Sequence, residues 1–166
     1  MIISLGLPSL SAKGDDRSYY ISRYEVRIDV QPNGGAYVRE RITYDFSGDF
    51  NGILRDIDMD RTDGIDQLRV SVEEGSELRE FHQSEGEGED AYELSQEGNL
   101  LKLKVYEKTS NQEKTFVYEY LLLNVAEKYN DIGVFNRKVI DSNWDVPLND
   151  IDITIKIPEG AKKEDL

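Results

Sequence analysis

Most of this chain alternates between apolar and polar residues with a period of two, which is the pattern of β-strands with one buried face. Between Tyr20 and Val30 the even-numbered positions form a mostly apolar face, and the odd-numbered positions are mostly charged or polar. Residues 38–46 continue the alternation. The sequence PNGG at 32–35 lies between these segments and contains residues that tolerate positive φ, so it predicts a β-hairpin.

Later segments also have the composition of strands, at 65–73, 92–95, 100–106, 115–125 and 151–158. Segment 115–125 is almost continuously apolar and aromatic, which predicts a central strand covered on both faces. In the last segment, the isoleucines at 151, 153, 155 and 157 are expected to point inward. One short helix is predicted at about Val125 to Tyr129. Short strands separated by turn signals predict an all-β fold, an antiparallel β-sandwich with at most one short helix.

Composition narrows the class of protein. A chain of 166 residues is long enough for one domain that folds without a disulfide or a metal. It has no cysteine, which excludes a disulfide scaffold, a cysteine zinc site and a cysteine nucleophile. The net charge of −14, from 20 basic and 34 acidic residues, argues against binding to nucleic acid and to anionic lipid. We predict no cofactor.

The N-terminal residues are a separate segment. Residues 2–10 have the length of a signal-peptide apolar core, and SLSA at 9–12 resembles a cleavage site, although a basic region is missing. We interpret residues 1–18 as the remnant of a secretory signal or as a disordered leader. Residues 19–158 form the predicted β-sandwich domain, and residues 159–166 form a tail.

The segment from Glu73 to Glu97 contains ten acidic residues and one basic residue, Arg79, and it predicts a solvated acidic loop. His82, the only histidine, lies at the edge of this loop, a poor position for an oriented catalytic base. Two groups of oxygen-bearing side chains partly match calcium-site composition but lack a complete ligand spacing, so we predict no metal site. These weak candidates are Asp49, Asn51 and Asp58 in one group, and Glu87, Glu89 and Asp90 in the other.

Two charged residues break the apolar pattern. Arg55 lies in the apolar segment 50–59, and Glu40 falls on the apolar face of the strand at 38–46. Because an unpaired buried charge is costly, each needs a partner of opposite sign. We therefore predict a structural ion pair between Glu40 and Arg55, brought together by a hairpin between residues 46 and 50. The functional alternative is that Arg55 binds a ligand.

The order of motifs resembles the family of predicted bacterial membrane proteins that carry domain of unknown function 2207. The first matching block has the form V-x-E-x-I-x-Y-x-F followed by F-x-G-I-x-R-x-I, here Val38, Glu40, Ile42, Tyr44 and Phe46, then Phe50, Gly52, Ile53, Arg55 and Ile57. The second block is formed by Tyr129, Asp131, Phe135, Ile140, Trp144, Pro147, Ile151 and Pro158. Asn136 and Arg137 stand where the family often has a tryptophan, which argues against an aromatic site there.

The resemblance implies a signal peptide, an extracytoplasmic β-rich domain and transmembrane helices, with this chain as the soluble N-terminal piece. It implies that further strands follow residue 166, and it supplies no established catalytic residues. Asp131 and Trp144 are the possible ligand-facing residues of its second motif.

From this we expect an extracytoplasmic domain tethered to the cell membrane. The leading interpretation is a binding module at the cell surface, with a protein or an envelope component as partner. The alternatives are an enzyme that acts on the cell envelope through carboxylates, and a structural spacer.

Overall fold

The computed structural model describes residues 17–128, 133–140 and 144–159. Within them the chain forms strands and no helix, and hence no helix long and apolar enough to cross a bilayer. The strands are β1 (Ser18–Val30), β2 (Ala36–Ser47), β3 (Asp49–Asp58), β4 (Ile65–Glu74), β5 (Glu77–Gln83), β6 (Ala91–Glu97), β7 (Leu100–Ser110), β8 (Glu113–Leu122), β9 (Ala126–Lys128), β10 (Gly133–Phe135) and β11 (Ile151–Lys156).

Nine of these strands form one sheet in the order β11-β1-β2-β8-β4-β5-β6-β7-β3, and β9 pairs with β10 separately. The all-β prediction is confirmed. The prediction of an antiparallel sandwich is wrong in detail, because the sheet is continuous, curled and mixed, with β1–β11 and β5–β6 parallel. Alternation shows which residues face the core, but it does not show the direction of the neighbouring strand.

The first hairpin forms as predicted. β1 and β2 are antiparallel from Ser18↔Ser47 to Val30↔Ala36, and the turn is closed by a hydrogen bond from the Gln31 amide to the Gly35 carbonyl. The second expected hairpin is absent from the described residues, since β3 pairs with β7 and not with β2. The chain turns at Gly48, where φ is 93°, and β3 then lies across the core from β1 and β2.

Two local predictions are corrected. The segment predicted as a helix at Val125 to Tyr129 contains β9, whose backbone is paired with β10; so short a run does not offset the cost of helix nucleation, and Tyr129 lies outside the described residues. The acidic segment 73–97 is not a single loop. It includes the end of β4 and all of β5 and β6, and the connection between the last two is residues 84–90.

The core lies inside the curl. β8 is flanked by β2 and β4, which agrees with the central position predicted for it. Aromatic rings pack together at one end, where Tyr44 stacks on Phe46 at 5.6 Å and meets Phe116 edge-on at 5.5 Å. The isoleucines of β11 lie beside buried residues of β1, but β11 is at the end of the sheet and they are 42–46% exposed.

Gly52 lets β3 approach β7. The register between these strands shifts between Phe50 and Gly52. A Cβ atom at position 52 would lie 2.1 Å from the carbonyl oxygen of Val105, which is backbone and cannot rotate away. Any side chain at this position would push the two strands apart, three residues before Arg55.

We therefore predict that Gly52→Ala lowers the free energy of unfolding by about 2–3 kcal/mol, because the clash is with backbone. Gly86→Ala is the matched control. Its Cβ would meet nothing closer than a Glu93 carboxylate oxygen at 3.9 Å, so the change should stay within about 0.5 kcal/mol. Urea denaturation at constant m-value measures the change in the free energy of unfolding for both substitutions. Equal effects of the two substitutions would contradict the close approach.

Candidate functional site

Strands β2 and β3 carry the two charged residues that break the apolar pattern. Glu40 points inward from β2, which is bonded on both sides by β1 and β8. Arg55 points inward from β3, and its neighbour Asp56 pairs in register with Lys102 of β7. The pair thus connects β2 and β3 through the core rather than along a shared hairpin, because consecutive strands diverge at Gly48.

The contact between them is bidentate. Arg55 Nε and Nη2 lie 3.0 and 2.9 Å from Glu40 Oε2, and Nη2 lies 3.1 Å from Oε1. The side chains of Glu40 and Arg55 are only 3% and 5% exposed. Tyr120 donates its hydroxyl to Glu40 Oε1 at 2.6 Å, and Arg55 Nη1 donates to the Asp56 carbonyl. Both charges are therefore desolvated and heavily hydrogen-bonded, which is the condition under which a buried ion pair is tolerated.

Trp144 covers this pair. The guanidinium carbon of Arg55 lies 5.1 Å from the Trp144 ring centroid, and the ring is tilted against Tyr24 at 5.5 Å. This is a cation–π contact on an arginine removed from water. Trp144 thus packs against Arg55 and Tyr24, and its role as a ligand-facing residue stays a prediction. Asp131, the other possible ligand-facing residue, lies outside the described residues.

Tyrosines surround the pair on the inner face of the sheet. Burial raises the pKa of Tyr118 and of Tyr120 well above the ordinary value, and the negative charge of Glu40 adds to both. Burial raises the pKa of Tyr44 as well, against a smaller opposing effect of Arg55. These hydroxyls remain protonated at neutral pH.

The space beside the pair is too small for an organic ligand. A cavity of about 10 Å³ is lined by Glu40, Arg55, Tyr120 and residues of the segment 137–139. That volume is close to the minimum for a single water molecule. The geometry therefore favours a structural role for Arg55 over the ligand-binding alternative.

The larger concave feature lies on the opposite, outer face of the same strands. An open cleft of about 470 Å³ crosses β11, β1, β2, β8 and β4. Its charged lining residues are Arg27, Asp29, Arg39, Arg69, Glu119 and Lys156, four cations and two anions in a chain with a net charge of −14. Tyr37, whose side chain is 47% exposed, adds an aromatic surface.

Two cations of this cleft are directly opposite each other. Arg27 of β1 and Arg39 of β2 are Cα partners in the hairpin. Arg39 lies 3.4 Å from Glu119 Oε1, whereas Arg27 has no hydrogen bond or ion pair within the described ranges. This cleft could not be recognised from the sequence pattern, because a charge at an outward strand position is unremarkable. The signal was nevertheless present, since the turn at 31–35 fixes which residues of the two strands face each other.

The calcium candidates are not brought together. Asp49 and Asp58 are the two ends of β3, and ten residues of extended strand span about 30 Å, so they cannot share one cation with Asn51. Asp90 pairs with Arg79, while Glu87 and Glu89 are exposed. Over the described ranges, no group of three or more acidic or histidine side chains is placed to hold a metal ion.

Arg79, the one basic residue of the acidic segment, gathers three carboxylates. Its Nε lies 2.6 Å from Glu74 and its Nη2 lies 2.8 Å from Glu107, and its Nη1 contacts Asp90. Glu107 also binds Lys114. This network fixes the base of the acidic connection 84–90 to the sheet.

Comparison with known proteins identifies the family. A family model described as the N-terminal domain of a predicted membrane protein, DUF2207, matches residues 20–166. The chain belongs to this family. The resemblance expected from the order of the motifs is thereby confirmed, and the chain is a domain from a family of predicted membrane proteins.

Comparisons with curated proteins and with solved structures do not extend the family assignment. No curated protein matches the chain. Among solved structures, the pilus 2b backbone protein of group B streptococcus is similar at 14% identity and a TM-score of 0.38. The match covers 80% of this DUF2207 chain and 56% of the pilus protein, so the chain spans just over half the length of that relative.

The buried pair gives a prediction about stability. Glu40→Gln removes the negative charge and leaves Arg55 charged in the core, so we expect a loss of about 3–5 kcal/mol and a melting temperature lower by about 10 °C. Glu80→Gln is the control, because Glu80 pairs with Arg69 where both side chains are more than half exposed. That substitution should shift the melting temperature by no more than about 2 °C. An unchanged melting temperature for Glu40→Gln would refute the structural role.

The buried tyrosines give a prediction about pH. A folded-state pKa raised by burial contributes stability that is complete below the unfolded tyrosine pKa of about 10 and is lost as pH rises through the folded value. We therefore expect alkaline unfolding to begin above about pH 10. Tyr118→Phe should move its midpoint to higher pH, because it removes one buried hydroxyl whose pKa burial raises.

Circular dichroism and tyrosinate absorbance, followed together against pH, measure this shift. Tyr37→Phe, at an exposed tyrosine, is the control and should leave the midpoint unchanged. A midpoint unaffected by Tyr118→Phe would show that other groups set the alkaline limit.

Proposed function

We propose that this domain is the extracytoplasmic binding module of a membrane protein and that it binds its partner through the outer-face cleft. Membership of a family of predicted membrane proteins supports the tethering. The apolar segment at residues 2–10, interpreted as a signal remnant, supports the extracytoplasmic side. The partner is a protein or a component of the cell envelope.

The observation that carries the proposal is the cleft with Arg27, which no residue of the described ranges neutralises. Its volume of about 470 Å³ is in the range of ligand sites, roughly 300–1,000 Å³. An exposed tyrosine and several arginines are residue types enriched where proteins bind partners. The cleft lies on rigid paired strands rather than on loops, which favours a preorganised surface.

The backbone at the rim of the cleft supports the same role. Gln67 lines the cleft and adopts a φ of 53°, a left-handed conformation that is uncommon for a residue other than glycine. The register between β4 and β8 shifts between Asp66 and Arg69 at this point. Such irregularities re-aim side chains and are frequent next to functional sites. Here they lie beside Arg69 of the cleft.

A test uses the absence of cysteine from this domain. Tyr37→Cys and Leu54→Cys are introduced separately into the full-length protein in intact cells, which are then treated with a membrane-impermeant thiol-reactive crosslinker. Tyr37 lines the cleft, whereas Leu54 is 72% exposed on β3. Both cysteines should react without permeabilisation. Only the cysteine at position 37 should yield a defined crosslinked product.

The two parts of the proposal fail separately. Labelling that requires permeabilised cells at both positions would contradict the extracytoplasmic location. Equal crosslinking at both positions, or no product at either, would contradict binding through the cleft.

A further inference from the structure

Arg27 and Arg39 are an unfavourable pair in the free protein. They are directly opposite on neighbouring antiparallel strands, a position in which Cβ atoms are about 4.5–5.5 Å apart. Like charges at such positions destabilise a sheet. Among described residues, Glu119 is the one carboxylate that contacts either, and it contacts only Arg39.

Other arginines of the same face are neutralised. Arg41, the next outward residue of β2, is bound by Glu25 and by both carboxylate oxygens of Glu73 at 2.7 and 2.8 Å. Arg69 is bound by Glu80. With 34 acidic residues in the chain, a carboxylate opposite Arg27 would be an ordinary outcome, so it is informative that no described carboxylate pairs with Arg27.

The nearby acids are directed elsewhere. Asp29, two residues from Arg27 on β1, lies 3.6 Å from Lys156. Glu25, two residues to the other side, contacts Arg23 and Arg41. The cleft therefore keeps an excess of positive charge although acidic side chains flank it.

A polar atom of Arg39 also lacks a partner. Its Nε is inaccessible to solvent and makes no hydrogen bond in the described structure, although the side chain as a whole is 42% exposed. A buried donor without an acceptor costs free energy. Arg27 and Arg39 project guanidinium groups from directly paired positions, and the donors of such groups match an oxyanion, which accepts several hydrogen bonds in parallel.

We propose that Arg27 and Arg39 together bind one oxyanion group, a carboxylate or a phosphate, that the partner carries into the cleft. The inference rests on the proposed binding function and names the chemistry that the partner presents. The bound oxyanion removes the repulsion between the arginines, and Tyr37 offers an apolar surface to the part of the ligand beside the anion.

The test is thermal unfolding of the isolated chain in sodium chloride, sodium acetate and sodium phosphate at equal ionic strength and pH. A ligand at about 100 times its dissociation constant should raise the melting temperature by about 5–10 °C for a chain of this size. We expect acetate or phosphate to raise it relative to chloride. A shift with acetate alone assigns a carboxylate, and a shift with phosphate alone assigns a phosphate.

Arg27→Gln should abolish this shift. In chloride the same variant should be at least as stable as the parent, because it removes repulsion and breaks no described ion pair. Arg27→Lys keeps the charge without the planar fork and should reduce the shift. Arg61→Gln, an equal change of charge at a side chain 69% exposed in the turn after β3, should leave it unchanged.

The inference is overturned if no oxyanion shifts the melting temperature, or if Arg27→Gln keeps the full shift. It is also overturned if Arg27→Gln in chloride is several degrees less stable, since Arg27 would then be structural. Crosslinking at position 37 without any oxyanion shift would support the binding module and contradict oxyanion binding by Arg27 and Arg39. An oxyanion shift without crosslinking would support oxyanion binding and contradict the binding of a partner through the cleft.

Discussion

The fold depends on bringing two opposite charges together inside its core. Neither Glu40 nor Arg55 can be buried alone, because a desolvated charge without a partner costs several kcal/mol. Their contact at 2.9 Å fixes β3 over β2, although five other strands separate these two in the order of the sheet. A slip of β3 by one residue would turn Arg55 outward and leave Glu40 unpaired. The pair therefore specifies how the sheet curls, whatever its net contribution to stability.

The sequence predicted most of the long strands but little of their arrangement, and it missed β5, β9 and β10. Alternation located the buried faces, and the mismatched charges Glu40 and Arg55 identified each other because both broke the same rule. The expected hairpin between them was wrong, because a short connection at Gly48 is compatible with either a hairpin or a turn into the opposite side of the curl. The parallel β1–β11 pair was equally hidden, since it joins segments more than a hundred residues apart. The alternating pattern determines which face of the sheet each residue occupies, whereas the choice of neighbouring strand depends on the whole sheet.

The outer cleft was missed for a different reason. Arg27 and Arg39 each occupy an outward position where a charged residue is expected, so neither attracts notice by itself. Their relation appears only when the hairpin is paired residue by residue away from the turn at 31–35. The presence of Lys156 and Arg69 in the same cleft follows only from the full strand order, which local sequence patterns do not contain. A single inward charge is thus detectable from sequence, while an outward cluster needs the register.

The inner pair and the outer cleft occupy opposite faces of the same strand. Glu40 and Arg39 are consecutive in β2, so the contacts that hold Glu40 in the core also hold the backbone from which Arg39 projects outward. Ladder bonds to β1 and β8 on either side restrict it further. Such a backbone can keep two repelling arginines at cross-strand distance, where a mobile loop would let them separate. The repulsion destabilises the free protein. An anion that relieves the repulsion binds to a surface that is already arranged for it.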